Sequence, residues 1–211
     1  MERMTIMKII TVSREFGSGG REVGKRLADA LGFAYYDREI ITAIAEKSSF
    51  DEEYVERAVE GGMRFNYPMT ISHTFSYIPS VSTVTPNLIS HQHEVIQGLA
   101  AKGNCVIVGR GADVILEDKN PFKLFVYAEM ESKLARCRSR ARAGENMTDK
   151  ALERSIKKID KDRASSHGVL ARYPWGDRRG YNLCLNTTGI EIATAIPHIA
   201  AYITEWFDSQ K

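Results

Sequence analysis

The sequence has few cysteines and lacks any long apolar run, and both shortages narrow the class of protein. Its three cysteines, Cys105, Cys137 and Cys184, are scattered without CxxC or CxH spacing, so the sequence predicts neither a zinc site nor a redox pair. No run approaches the roughly 18 apolar residues of a membrane span. The N-terminal stretch becomes polar too early for a signal peptide, and we therefore expect a cytoplasmic protein without a membrane partner.

The composition is ordinary, but the charge is unevenly distributed. Of the 211 residues, 43% are hydrophobic and 27% are charged, values that exclude disorder and collagen and suit a single globular domain. The net charge of +2 conceals a basic segment at 133–179, which holds 14 Lys and Arg against 6 Asp and Glu. This segment is expected to meet anions. It carries no recognised RNA or DNA motif, so nucleic acid is not the expected partner.

Short apolar runs alternate with helical patterns along the chain. The runs predict strands at 8–13, 34–36, 105–108, 122–128 and 181–186. Helical periodicity predicts helices at 23–31, 40–45, 52–59, 88–101, 129–142, 148–165 and 190–207. This alternation predicts a three-layered α/β fold whose parallel sheet is covered on both faces. Cys105 and Cys184 lie in predicted strands, so both thiols are expected to be buried.

A glycine-rich turn separates the first predicted strand from the first helix, and it reads Gly17-Ser18-Gly19-Gly20-Arg21. Consecutive backbone N–H groups and the helix N-terminus would form a phosphate cradle there. The dinucleotide pattern GxGxxG fails because Glu22 stands at its third glycine. The pattern GxxxxGK[ST] nearly matches from Gly19, but Lys25 would then lie on the polar side of the helix. A tight turn without a ligand is the alternative.

Several motifs together resemble those of nucleoside monophosphate kinases. The residues Gly17 to Ala28 resemble the strand, loop and helix that open those enzymes, and residues 31–37 are similar to the stretch that follows. Three further stretches are Val106-Ile107-Val108-Gly109-Arg110, Asp160-x-x-Arg163 and Leu185-Asn186-Thr187-Thr188. Within that group the sequence most resembles the cytidylate kinase-like family.

This resemblance implies a fold and an activity. The fold is the three-layer α/β P-loop kinase fold, with a five-stranded parallel sheet and helical acceptor-binding and lid segments. One domain would span residues 1–211, with the acceptor-binding insertion at about 38–95 and the lid at about 138–178. The activity is transfer of the γ-phosphoryl group of ATP, with Mg²⁺, to a nucleoside monophosphate, CMP being favoured.

The resemblance also implies which residues form the site. The ATP phosphates are expected at Gly17, Ser18, Gly19, Gly20 and Arg21, and the acceptor at Asp37, Arg38, Arg110, Asp160 and Arg163. Arg21 and Arg163 are the expected catalytic residues. The alternatives are surface ion pairs for Arg38 and Arg110, and a salt bridge within one helix for Asp160 and Arg163.

The glycine loop departs from the usual P-loop. In the register of the resemblance, Gly20 stands where the P-loop has its lysine, and Arg21 where it has the Ser or Thr that meets Mg²⁺. The third-strand motif has Val108 before Gly-Arg in place of the acidic residue often found there. The residues that hold Mg²⁺ are therefore not predicted. Positive charge for the β- and γ-phosphates could come from Arg21 or from Arg14 before the loop.

Three other functions stay open at this point: a kinase of another small phosphorylated or hydroxylated metabolite, a nucleotide-binding regulatory protein without turnover, and a nucleic-acid module. Small-molecule nucleotides are the favoured partners, and a homodimer stays open. His167 is not expected to act in catalysis, because phosphoryl transfer to a phosphate needs no general base. The alternating Arg136, Arg138, Arg140 and Arg142 indicate a helix solvated on several sides.

Overall fold

A parallel β-sheet forms the centre of the molecule. The computed structural model describes residues 7–60, 86–141 and 147–210. In these residues the strands are β1 (Ile9–Arg14), β2 (Ala34–Tyr36), β3 (Cys105–Val108), β4 (Phe122–Tyr127) and β5 (Leu183–Asn186). Their order across the sheet is β2-β3-β1-β4-β5, and all four pairings are parallel. The predicted five-stranded parallel sheet is confirmed.

Helices connect the strands, as parallel crossovers require. They are α1 (Gly20–Leu31), α2 (Glu39–Ser48), α3 (Glu52–Glu60), α4 (Pro86–Ala100), α5 (Ala112–Ile115), α6 (Met130–Ser139), α7 (Asp149–Gly168) and α8 (Ile192–Ser209). The sequence patterns predicted all of them except α5, whose four residues are too few to show a helical period. The predicted helix at 129–142 ends earlier, at Ser139, and Arg142 lies outside the described residues.

Alternate side chains of the strands enter two separate apolar cores. On one face of the sheet, Ile10 and Val12 of β1 pack with Leu27 of α1 and with Ile196 of α8. On the other face, Ile9 and Ile107 pack with residues of α2, α3, α4 and α5. Because successive residues of a strand point to opposite faces, β1 and β3 contribute to both cores. The predicted three layers are therefore confirmed.

The position of each strand in the sheet decides the burial of its cysteine. Cys105 lies in β3, between two neighbouring strands, and is 1% exposed, as predicted. Cys184 lies in β5 at the edge of the sheet and is only half-buried, so the prediction that its thiol is buried was wrong. An edge strand has a neighbour on one side only, and an apolar run in the sequence does not reveal this.

The strand order brings the loops after β1 and β3 together. All five strands are parallel, so their carboxyl ends meet at one edge of the sheet. The chain leaves β1 for β2 on one side of it and reaches β4 on the other, so β1 lies at the point where the strand order reverses. Ligands of open α/β sheets bind at this kind of position. The glycine loop begins there.

Candidate functional site

The glycine loop connects the end of β1 to the start of α1. Gly17 and Gly19 have φ values of 76° and 82°, the left-handed conformation that glycine adopts readily. At Gly19 a Cβ would also lie 2.4 Å from Ile192 Cδ1, so a side chain there would require Ile192 to shift as well. Ser18 is fully buried, and its hydroxyl donates to the carbonyl of Glu15 at 2.8 Å. The loop is thus a close-packed structure that feeds directly into a helix N-terminus.

Residues from α6 and from the end of β5 hold the loop from behind. The hydroxyl of Thr187, which is 1% exposed, donates to the carbonyl of Ser18 at 2.7 Å. Arg136 Nη1 donates to Thr187 Oγ1 at 3.1 Å and reaches the Ser18 carbonyl at 3.4 Å. These contacts fix the backbone of the loop before any ligand arrives.

The four alternating arginines of the basic segment do not share one role. Arg136 faces the glycine loop, whereas Arg138 pairs with Asp149, and Arg140 Nη2 lies 2.7 Å from Glu22 Oε2 of α1. The interpretation of a solvated helix is therefore wrong for Arg136, which binds the loop, whereas Arg140 follows the end of α6 and its side chain is 35% exposed. Residues far apart in the sequence make these contacts, so the alternating pattern could not reveal them.

Two arginines converge on one buried carboxylate beside the loop. Arg21 Nε, in the first turn of α1, lies 2.8 Å from Asp37 Oδ2 after β2. Arg14 Nη2, at the end of β1, lies 3.8 Å from Asp37 Oδ1, and its side chain is 6% exposed. Burial, and then the charge of Asp37, raise the pKa of the nearby Tyr35 to about 12. The structure thus brings together three residues that the sequence placed in the site, while Arg38 next to Asp37 is exposed.

Arg110 sits in a strained backbone position at the end of β3. Its φ is 61°, and it lies between Gly109 and Gly111, which are also left-handed. The residue is 4% exposed, and its carbonyl accepts a hydrogen bond from Gln92 Nε2 at 2.6 Å. The alternative of a surface ion pair is wrong, because the residue is buried. Left-handed conformations at residues other than glycine cost roughly 1–3 kcal/mol and cluster at functional sites.

Helix α7 lies across the carboxyl edge of the sheet and makes three contacts there. Asp160 Oδ1 accepts from the backbone N–H of Phe16 at 2.7 Å. Arg163 Nη1 donates to the carbonyl of Arg14 at 3.1 Å. One turn further on, His167 Nε2 lies 2.7 Å from Asp113 Oδ2 of α5. Residues 160, 163 and 167 share one face of the helix, and the structure brings the predicted pair Asp160 and Arg163 to the glycine loop.

Asp160 belongs to a buried ionic group that the sequence did not reveal in full. Lys133 Nζ of α6 lies 2.6 Å from Glu15 Oε2 and 3.3 Å from Asp160 Oδ2. Burial raises the pKa of Asp160, while the Phe16 N–H, Lys133 and Arg163 oppose that rise. Lys133 was missed, although a signal was present: it lies on the face of α6 that carries Met130 and Cys137, where an apolar residue is expected.

His167 and Asp113 form a second buried pair at the same edge. Their side chains are 9% and 6% exposed. Burial, followed by the charge of Asp113, raises the pKa of the neighbouring Tyr181. Sequence reasoning missed Asp113 because it lies on the unpredicted helix α5.

One carboxylate of the site is suited to bind Mg²⁺. A bound nucleotide would provide most of the other ligands of the ion. Among the described residues, no group of three His, Cys, Asp or Glu could hold a metal by itself. In that part of the chain, Asp37 Oδ1 is buried and accepts no hydrogen bond, which leaves a lone pair for a cation. Because Mg²⁺ usually binds through one or two carboxylates, substrate phosphates and water, one carboxylate beside the phosphate loop suffices.

Comparison with known proteins decides the family. The family model described as the cytidylate kinase-like family matches residues 9–189. The chain belongs to the cytidylate kinase-like family. Among curated proteins, none matches this member of the family significantly.

Solved structures support the fold of this cytidylate kinase-like protein. An uncharacterized protein from Eubacterium ventriosum is 27% identical, with a TM-score of 0.66 over 93% of this chain and 98% of that one. A shikimate kinase from Bacteroides thetaiotaomicron is 16% identical, with a TM-score of 0.56 over 96% and 99% of the two chains. A gluconokinase from Sinorhizobium meliloti is 15% identical, with a TM-score of 0.55 over 99% and 97%. The P-loop kinase fold implied by the resemblance is thereby confirmed.

The family and the fold identify a kinase-like protein, and the family implies ATP and Mg²⁺ as cofactors. None of the helices within the described ranges combines the length and the apolar character needed to cross a membrane.

Proposed function

We propose that the protein transfers the γ-phosphoryl group of ATP to a nucleoside monophosphate, with CMP as the favoured acceptor. One observation carries this proposal: four arginines from separate elements, Arg14, Arg21, Arg110 and Arg163, lie at the carboxyl edge around one glycine loop. Phosphoryl transfer requires little covalent chemistry from the protein. It requires two substrates in line and cations around the oxygens that share the developing charge.

Each part of the site then has a role. The backbone N–H groups of Gly17 to Arg21 and the start of α1 bind the phosphates of ATP. Arg110 and the exposed Arg38 bind the acceptor phosphate, with Asp37 between the two substrates. Arg163 extends from α7 to the glycine loop, where it stabilises the transferring group. Asp160 contacts the acceptor when α7 moves, and it holds the Phe16 N–H in the arrangement described here.

Mg²⁺ would be held by Asp37 and by the phosphate oxygens of ATP. When bound, the ion neutralises phosphate charge and aligns the β- and γ-phosphates. Arg21 stands where the Ser or Thr ligand of other P-loop kinases is found, and it pairs with the same carboxylate at 2.8 Å. Arg21 therefore positions Asp37 and does not itself provide a metal ligand.

The test is an ATP-consumption assay against a panel of nucleoside monophosphates, with wild type, Arg110→Ala and Arg138→Ala. We expect saturable turnover with one acceptor and a loss of about a hundredfold in Arg110→Ala. Arg138→Ala is the control, because its partner Asp149 lies at the start of α7, away from the loop. Folded wild-type protein that turns over no member of the panel would contradict the proposal.

A second acceptor class is favoured by one specific observation, the buried pair of His167 and Asp113. A histidine oriented by a carboxylate is the usual arrangement of a general base, which a hydroxyl acceptor needs and a phosphate acceptor does not. Asp113 contacts Nε2, and in the described part of the chain His167 Nδ1 is buried without a hydrogen-bond partner. A small hydroxylated metabolite is therefore the second candidate acceptor.

Substitution of His167 separates the two acceptor classes. If the acceptor is a hydroxyl, His167→Gln should lower kcat strongly while the KM for the acceptor changes little. If the acceptor is a phosphate, kcat should change little as well. His198, on the exposed side of α8, provides the matched control His198→Gln.

The cytoplasmic location, the domain division and a homodimer stay predictions.

A further inference from the structure

The volume that a P-loop lysine would enter is occupied by another side chain. Gly20 stands at the lysine position of the loop. A Cβ on Gly20 would lie 2.3 Å from Cβ and 2.8 Å from Cγ of Arg14. A side chain at residue 20 therefore cannot leave the loop in that direction, because the stem of Arg14 already fills it.

The head of Arg14 reaches the carboxyl edge of the sheet. A Cβ on Gly109, directly after β3, would lie 1.7 Å from Arg14 Nη1 and 2.8 Å from Cζ. The guanidinium therefore passes close to the Gly109 backbone, and its Nη2 lies 3.8 Å from Asp37 Oδ1. Glycine at residues 20 and 109 opens the path for one arginine from the end of β1 to the loops after β2 and β3.

Arg21, the other candidate cation, is placed differently. Its Nε is bound to Asp37 at 2.8 Å, and its side chain is 34% exposed, against 6% for Arg14. Arg21 therefore reaches Asp37 from the solvent side, whereas Arg14 runs through the interior beside the loop. The sequence left these two arginines as equal candidates, and their packing distinguishes them.

We propose that Arg14 supplies the positive charge of the missing P-loop lysine and contacts the β- and γ-phosphates of ATP. The proposal rests on the proposed function and deepens it. The P-loop pattern GxxxxGK has glycine at its first position and lysine at its last. With Gly19 as the second glycine, this chain has arginine at the first position, residue 14, and glycine at the last, residue 20. Glycine and the cationic residue have thus exchanged positions in the motif. The positive charge reaches the phosphate site from the end of β1 and not from the loop.

The exchange changes the kind of contact as well as its origin. A lysine is a mobile point charge, whereas the guanidinium is a planar fork that binds two phosphate oxygens at once. Arg14 is held by the sheet register with Val126 and by the packing of its stem, so little conformational freedom is lost on binding. Its backbone carbonyl accepts from Arg163 Nη1 at 3.1 Å, which places the Arg163 guanidinium at the end of β1, where the glycine loop begins.

Calorimetric titration with ATP tests the proposal in five proteins: wild type, Arg14→Met, Arg14→Gly, the double variant Arg14→Gly with Gly20→Lys, and Arg26→Ala. Arg14→Met keeps much of the buried volume without the charge, and it should weaken ATP binding about tenfold to a hundredfold. The double variant restores GxxxxGK and should bind ATP more tightly than Arg14→Gly, by about tenfold. Arg26→Ala is the control, since Arg26 is exposed and pairs with Glu22.

The outcomes separate this inference from the proposed function. Wild-type affinity in Arg14→Met would overturn the inference alone, as would a folded double variant no tighter than Arg14→Gly. Wild-type protein that binds no ATP would overturn both. If thermal melting shows the double variant unfolded, Arg14→Lys decides: tighter ATP binding than in Arg14→Met supports the inference, and equal binding contradicts it.

Discussion

At the scale of single residues, the site contains two residues whose burial or backbone conformation costs folding free energy. Asp160 is a carboxylate taken out of water against the glycine loop, and Arg110 keeps a left-handed backbone. Neither residue is needed for a good core, since both are polar and both lie at the carboxyl edge. Costs of this kind are typical of sites where geometry serves a ligand.

The pH dependence of stability should report the burial of Asp160. Because its pKa is raised above 3.8, protonated Asp160 favours the fold. This contribution is fully present below pH 3.8 and is lost as the pH rises through the higher pKa of the folded state. Asp160→Asn keeps the acceptor for the Phe16 N–H but does not titrate. Urea unfolding between pH 3 and 7 should therefore show wild type losing stability relative to Asp160→Asn as the pH rises.

A second aspartate provides a check on the sign of that effect. The Arg179 side chain and backbone lower the pKa of Asp177 to about 2. Its contribution is present above its unfolded pKa and is lost as the pH falls. As the pH rises, the free energy of unfolding of the wild type should thus increase relative to that of Asp177→Asn, which is the opposite direction to Asp160. If both comparisons change in the same direction, the account of Asp160 is incorrect.

The left-handed backbone of Arg110 predicts an order of stability between two variants. Arg110→Gly and Arg110→Ala both remove the side chain, and both should lose activity. Only glycine adopts a φ of 61° without strain, so Arg110→Gly should be more stable than Arg110→Ala by about 1 kcal/mol. Chemical denaturation measures this difference. If Arg110→Ala is as stable as Arg110→Gly or more stable, the backbone at residue 110 relaxes out of the left-handed conformation in the variant.

At the scale of elements, the glycine loop depends on what packs behind it. The hydroxyl of Thr187 is buried between the Ser18 carbonyl and Arg136, so Thr187→Val leaves hydrogen-bonding groups without their partner. We expect a loss of about 1–3 kcal/mol in the free energy of unfolding. The affinity for ATP should fall as well, because Ser18 belongs to the loop.

Thr194→Val is the matched control for Thr187→Val. Thr194 lies in the exposed first turn of α8, where its hydroxyl donates to the Glu191 carbonyl at 2.8 Å. Removing it changes neither the loop nor the core, so ATP affinity should stay at the wild-type level. Equal effects of the two substitutions on ATP affinity would show that the anchor at Thr187 is not specific.

The elements were more predictable than the contacts between them. β3 has the predicted bounds of 105–108, because a buried parallel strand is a continuous apolar run. Arg14, Arg21 and Asp37 were all recognised, since each ends a strand, follows one or lies in the first turn of a helix. The partners of Lys133 and Asp113 lie 27 and 54 residues away, so the sequence did not show which residues they meet. Sequence patterns record which face of an element is apolar, but not which polar residues meet across elements.

At the scale of the whole molecule, residues of the basic segment pair with the protein's own acidic residues. Lys133 pairs with Glu15, and Arg140 pairs with Glu22, so part of the positive surplus of 133–179 is neutralised beside the glycine loop. Arg163 from the same segment reaches the end of β1. Part of the asymmetry in charge therefore reflects how α6 and α7 hold the carboxyl edge of the sheet.

ATP should stabilise the whole fold through this edge. A ligand that binds only the folded state adds about 2.7 kcal/mol at a concentration of about 100 Kd. The melting temperature of the wild type should therefore rise with ATP concentration. At the same concentrations, the melting temperature of Arg14→Met should rise much less. Adenosine, which lacks phosphates, is the control ligand. A shift of equal size with adenosine would show that the nucleoside provides the binding energy, and it would contradict a site built around phosphates.

The contact between Ser18 and Thr187 has a consequence for how the protein is made. The two residues are 169 positions apart, and Phe16 and Asp160 are 144 apart. During synthesis the loop emerges from the ribosome well before the residues that hold it. A nascent chain therefore first carries the glycines without their anchors, and a nucleotide that needs the anchored loop is expected to bind only after residue 187 has joined the fold. Contacts of this sequence separation also form slowly, so completion of the loop is expected to be a late event in folding.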